Sequence, residues 1–265
     1  MQPVTILMLL LLPVLGCFFA IHYELSFFTN VILMYLVPGL YLTLRKANWR
    51  QAAQHATFAL LIPFPFAFVV DYIGTVSNLW YVPHTFLPWR IYGVIPLEDF
   101  VWMACGVYTI ITCYTFFSNK AQDKLAPRKL LYFCAIAAIG LAVFCMSSTV
   151  YPELFVWHGS FAYLTLGLTF AGIPTAILMM RFWRAYAKVG YLIVYFLFLT
   201  FLLEYTETFL GQWLFHGNYA IQKLTFFGTP GIPYEEFFFV GVVEVLAAVG
   251  FYTFFTERER APHPW

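Results

Sequence analysis

Apolar residues in this chain run in long uninterrupted blocks, without the every-other-residue alternation of a half-buried strand or the single apolar face of a helix lying on a soluble core. Eight blocks stand out, at 4–21, 26–44, 53–73, 93–117, 129–150, 155–180, 188–207 and 232–256. Each is close to the ~20 residues an α-helix needs to cross the hydrocarbon core of a bilayer. A membrane β-barrel would show segments of ~10 residues with alternating hydrophobicity, and these blocks are apolar all round. The pattern predicts an all-α membrane protein with eight transmembrane helices. Composition agrees: 62% of residues are hydrophobic and 10% charged, against about 25% charged in an ordinary soluble domain.

The position of the charges adds an orientation. Eight crossings put both termini on one side, and that side collects Arg45, Lys46, Arg50, Lys120, Lys124, Arg128, Lys129, Arg181, Arg184, Lys188, Arg258 and Arg260. The other side keeps Arg90 and Lys223. Positively charged loops stay in the cytoplasm, so both termini are expected there, in a multi-pass protein of a bacterial or archaeal cell membrane. A nucleic-acid partner is excluded, because each basic cluster is a short loop beside a span. The five cysteines (17, 105, 113, 134 and 145) all lie within spans and have no metal-ligand spacing, which makes them buried thiols. Leu15-Gly16-Cys17 has the outline of a lipoprotein cleavage box. No basic residue precedes its apolar run and Phe18-Phe19 follows the Cys, so the segment counts as the first span.

The chain contains a repeat. Asp71-Tyr72 closes the third span, Trp80 follows, and Ile95-Pro96-Leu97-Glu98-Asp99-Phe100 opens the fourth. Glu204-Tyr205 closes the seventh, Trp213 follows, and Ile232-Pro233-Tyr234-Glu235-Glu236-Phe237 opens the eighth. The copies are offset by 133 residues at the first acid and the Trp and by 137 at the Pro-x-acid-acid block. The expected organisation is a four-plus-four duplication, residues 1–120 and 121–265, with its boundary in Ser118–Arg128. Units with an even number of spans share one orientation, as parallel repeats do. The two motif loops then face each other on the non-cytoplasmic side around one shared cavity.

Acidic side chains at membrane depth cost ~2.5–3.5 kcal/mol each on insertion scales and are functional candidates by default. Asp71, Glu98, Asp99, Glu204, Glu207, Glu235 and Glu236 gather on the half where Arg90 and Lys223 are the cations at hand. Such a group cannot all ionise together, so neutral carboxylic acids are expected beside carboxylates, the makings of an acid–base pair. The bland alternative is a pair of helix starts, with Pro at the first helical position and acids favoured by the helix dipole. Two copies with matched spacing favour chemistry. Glu244 lies two turns beyond Glu236, on roughly the same face and deeper in the bilayer, where Val107 is its counterpart in the first half. It either extends the polar cavity or is neutral and hydrogen-bonded to a neighbouring helix. Aromatic residues make up 22% of the chain, and most serve packing and interface belts. Those flanking the acids, Trp80, Tyr81, Trp102, Trp213, Phe237 and Phe238, can stabilise a cation with their ring faces. The six His are scattered, no Gly-x-Gly-x-x-Gly occurs, and no Asp-x-x-Asp occurs to hold magnesium diphosphate. No metal or dinucleotide cofactor is therefore expected.

The block Asp71…Trp80…Ile95-Pro96-Leu97-Glu98-Asp99 and its second copy resemble the membrane lycopene cyclase family of some bacteria, archaea and fungi, in the form where two homologous polypeptides are fused. The resemblance implies Glu98, Asp99, Glu235 and Glu236 as catalytic residues, with Asp71, Glu204, Glu207 and Glu244 as supporting acids. It implies lycopene drawn from the lipid phase as substrate, β-ring carotenoids as products and no flavin. The expected reaction is redox-neutral: a carboxylic acid protonates the terminal double bond, the next double bond closes a six-membered ring, and a carboxylate removes a proton. Water must be excluded, or it traps the cation as an alcohol. Two other readings stay open at this stage, a carotenoid hydratase in which water does capture the cation, and a proton-coupled carrier.

Overall fold

A computed structural model describes residues 3–118, 124–187, 189–217, 219–226 and 228–257. Lys120, Lys188, Arg258 and Arg260 of the basic loops lie outside the described residues, as does part of the expected boundary stretch. Among the described residues eight helices are long and apolar enough to cross a membrane: α1 (Pro3–Tyr23), α2 (Phe27–Lys46), α3 (Trp49–Val76), α4 (Leu97–Phe117), α5 (Pro127–Val150), α6 (Ala162–Arg181), α7 (Gly190–Phe209) and α8 (Tyr234–Phe255). Three of them contain a π-turn, at Ile32–Leu36, Leu168–Gly172 and Phe239–Val243. Helix α3 breaks at Ile62-Pro63, where proline cannot donate to the preceding turn.

Two boundaries differ from the apolar blocks. Residues 155–161 do not belong to a span: Pro152–Phe155 forms a 3-10 turn and α6 begins at Ala162. Apolar character alone cannot distinguish a loop packed at the membrane surface from a helix. The starts of α4 and α8 also fall after their prolines. Pro96 and Pro233 have extended backbones (ψ 143° and 139°) and pair as strands instead of taking the first helical position.

Helix α4 is the centre of the bundle, with 67% of its most apolar window buried, whereas α5, at the periphery, has none of its window buried. Around α4 pack α2, α3 and α8, while α7 and α6 flank α8. The first helix of the chain, α1, packs on α7, and α5 packs on α3. At one end β3 (Lys124–Leu125) pairs antiparallel with β6 (Thr256–Glu257). There the Lys129 ammonium donates to Phe254 O at 2.9 Å and Lys46 to Thr115 O at 3.4 Å, which gathers basic residues of separate loops at that end.

The opposite end is built from two loops with matching hairpins. Strands β1 (Arg90–Ile91) and β2 (Ile95–Pro96) form a short hairpin, as do β4 (Lys223–Leu224) and β5 (Ile232–Pro233). Arg90 pairs with Pro96, and Lys223 with Pro233. The Arg90 guanidinium donates to Val82 O at 2.6 Å and Val94 O at 3.0 Å, and the Lys223 ammonium donates to Phe215 O. The two cations thus hold loop carbonyls. The loops join each other where Tyr81 and Leu214 exchange backbone hydrogen bonds of 2.8 and 2.9 Å. These pairs repeat at the 133- and 137-residue offsets of the sequence.

Candidate active site

Each Pro-x-acid-acid block divides its two acids. The first of each pair turns back to its own loop: Glu98 Oε1 accepts the Leu87 N–H at 2.8 Å, and Glu235 Oε1 accepts the Ile221 N–H at 2.9 Å. Extended proline makes this possible, because it brings the preceding loop across the first helical turn. Both carboxyls are buried, and neither lines the cavity described below. Glu98→Gln and Glu235→Gln keep an oxygen for this bond, whereas Glu98→Ala and Glu235→Ala leave the part-buried Leu87 and Ile221 amides without this acceptor and their loops without this tie. Proteolysis of the two loops should therefore speed up in the alanine variants and stay near wild type in the glutamine variants.

The second acid of each pair lies in a network with the acids that close α3 and α7. Asp99 and Asp71 are within electrostatic reach of one another, Asp71 of Glu236, and Glu236 of Glu204 and Glu244. Glu207 is within electrostatic reach of Glu204. Asp71, Asp99, Glu204 and Glu207 are all buried. Asp71 Oδ2, both Asp99 oxygens and Glu204 Oε2 have no hydrogen-bond partner among the described residues. A buried carboxyl without a donor costs free energy, and proteins keep that arrangement where the group reacts.

A cavity of about 170 Å³ lies beside this network, between α3, α4, α6 and α8. Three of the acids reach its wall: Asp71 from α3 and Glu236 and Glu244 from α8. Trp80 and Trp213, one from each loop, and Trp102 from α4 complete the polar end. The indole N–H groups of Trp80 and Trp213 are buried without partners among the described residues. Apart from Tyr163 the remainder of the wall is apolar, including Phe66, Phe170 and Phe251. Its lining comes from both 1–120 and 121–265.

Some expected residues stand apart from the cavity. Tyr81 is exposed with the Arg90 guanidinium over its ring at 5.7 Å, and Phe237 and Phe238 do not line the wall, whereas Phe239 does. Successive helical residues turn by about 100°, so Phe239, three after Glu236, shares its face. Tyr163 was not anticipated. It begins α6, lines the cavity, and its hydroxyl donates to Glu236 Oε2. Its ring meets Trp80 edge-on at 5.4 Å and Phe239 at 5.8 Å. In the loop behind it, Tyr219 donates to Leu79 O. Burial, then the Glu236 charge, raise the Tyr219 phenol above its ordinary range, so it remains the donor.

Residues 25–117 and 160–255 match the family described as lycopene cyclase. The chain belongs to the lycopene cyclase family. No curated protein and no solved structure matches the chain. Membership makes the protein a membrane enzyme of carotenoid biosynthesis, a cyclase of carotenoid ends, and its two matched segments end at Phe117 and Phe255, the last residues of α4 and α8.

Proposed function

We propose that the cavity binds one end of lycopene and closes it to a β-type ring by proton transfer alone. The observation that carries this reading is the joining of Asp71, Glu236 and Glu244 with three tryptophans in a cavity whose wall is mostly apolar. A carboxylic acid at that end protonates the terminal double bond. The resulting cation lies between indole faces, which stabilise positive charge by ~2 kcal/mol or more when desolvated. A neighbouring double bond closes the ring, and a carboxylate takes up the departing proton. The apolar wall keeps out the water that would turn the cation into an alcohol. No net electrons move, so the product has the mass of lycopene.

The four-plus-four duplication belongs to the same reading, supported by the matching hairpins and the Tyr81–Leu214 pairing. It places the loop Trp of each half, Trp80 and Trp213, on the cavity wall. The positive-inside charge pattern puts the acids on the non-cytoplasmic side and both termini in the cytoplasm. Reporter fusions after Lys120 are accordingly expected to be active only in the cytoplasm, and fusions near His84 and His216 only outside. An external signal at Lys120 contradicts the orientation.

The deciding experiment supplies lycopene to membranes in heavy water. Each ring formed should carry one deuterium, at the ring methylene derived from the protonated carbon. Ring product without solvent deuterium excludes protonation as the first step, and product heavier by one water per end identifies hydration in place of cyclisation.

A further inference from the structure

Helix α8 brings a second acid to the cavity by an irregularity in its own backbone. Glu236 and Glu244 are eight residues apart, so in a regular α-helix they would stand about 80° apart around the axis. The π-turn Phe239–Val243 lies between them and takes up one extra residue, which turns the rest of the helix back by about 100°. That leaves the two side chains about 20° apart, and both line the cavity. Helix α4 has no such turn after Asp99 and continues as α-helix to Phe117. With one residue inserted in α8, the counterpart of Glu244 shifts from Val107 to Gly106. Gly106 faces Glu244 across the helix interface: a Cβ there would come within 3.0 Å of Glu244 Oε1 and 3.3 Å of the Tyr35 ring. The missing side chain makes room for the carboxyl. Along the axis Glu236 and Glu244 are separated by about 10–11 Å, seven steps of 1.5 Å with one residue taken up in the π-turn. Less the reach of the two side chains, that leaves space for a six-membered ring between the carboxyls.

We propose that Glu244 is the base of the cyclisation and sets the position of the ring double bond, while Glu236 or Asp71 at the loop end of the cavity delivers the proton. This inference rests on the cyclase reading above. The donor's proton and the π pair of the terminal alkene form a new C–H bond, leaving a tertiary cation. The π pair of the next alkene forms the ring C–C bond and moves the charge to the methyl-bearing ring carbon. The Glu244 carboxylate takes a proton from a neighbouring carbon, and that C–H pair becomes the ring double bond. One proton enters and one leaves, and the carboxyls exchange protons with water between turnovers. Which neighbouring carbon gives up its proton depends on where Glu244 stands, so the ring isomer reports its position.

The test uses full-length protein in membranes, lycopene and heavy water, with ring isomers separated by chromatography and weighed. Wild type should give one dominant isomer with one deuterium per ring. In E244Q turnover should fall by about 10²–10⁴-fold, the range for losing a general base, and the residual product should shift to other ring isomers or to product one water heavier. E244D should recover part of the rate and the original isomer. Gly106→Ala presses on Glu244 Oε1 without removing the acid, and should change the isomer ratio even if E244Q yields too little product to analyse. An unchanged isomer ratio in E244Q, or in Gly106→Ala where E244Q is silent, overturns the assignment. Failure of wild type to form rings would defeat the cyclase reading instead, whatever the variants do.

Discussion

Replacing Glu236 by glutamine should lower ring formation by about 10²–10⁴-fold, the contribution of a positioned general acid or base, while the amount of protein in the membrane stays the same. Glutamine has the shape of glutamate, and its amide oxygen still accepts the Tyr163 hydroxyl that Glu236 Oε2 accepts. The cavity wall is therefore preserved and the ability to exchange a proton is lost. Asp71→Asn should fall in the same direction, since Asp71 is the acid that α3 brings to the cavity. Tyr163→Phe separates placement from chemistry: it removes the hydroxyl that orients Glu236 and keeps the ring beside Trp80. Its rate should lie between wild type and Glu236→Gln, with a changed pH profile. Pigment chromatography of lycopene-producing cells, normalised to membrane protein, measures all three. Wild-type turnover in Glu236→Gln would remove this residue from the mechanism.

The eight spans were legible in the sequence because bilayer thickness sets a length that apolar blocks must meet. The block at 155–180 misplaced its start, since Pro152, Trp157 and Phe161 carry the loop across an apolar surface without a helix. The acids were legible as a group through their cost in the membrane, but their separate tasks were not. In sequence, Glu98-Asp99 and Glu235-Glu236 look like equivalent pairs. The side-chain directions follow from where each helix begins, and both begin one residue later than a proline at the first helical position implies. That shift aims Glu98 and Glu235 at their loops. Glu236 then faces the cavity, and Phe239 takes the place expected of Phe237 and Phe238. Tyr163 could not be picked out among 18 tyrosines, because its importance depends on α6 packing against α3 and α8. The alignment of Glu244 with Glu236 depends on a π-turn, a backbone irregularity with no residue signature in Phe239-Val240-Gly241-Val242-Val243.

Gly74→Ala should damage the enzyme far more than the size of one methyl group suggests. Gly74 lies one turn beyond Asp71 on α3, and the Trp80 ring rests directly on it: a Cβ at Gly74 would overlap three ring atoms of Trp80. The indole cannot retreat freely. Its other side meets Tyr163, which holds Glu236, and its backbone neighbour Tyr81 is pinned to Leu214 of the other loop. The added methyl must push the ring into the cavity or pull the two loops apart. Overpacking of this kind costs about 1–3 kcal/mol of stability, and a shift of ~1 Å in a positioning group can cost about 10²-fold in rate. The expected result is a lower unfolding temperature together with a loss of turnover that higher lycopene does not restore. Gly140→Ala in α5 is the matching control, because a Cβ there meets nothing within 4 Å. In a helix interior the exchange of glycine for alanine favours folding by about 0.5–1 kcal/mol, so the same substitution should leave activity intact and stability equal or higher. If Gly74→Ala behaved like Gly140→Ala, the seating of Trp80 would have no part in shaping the site.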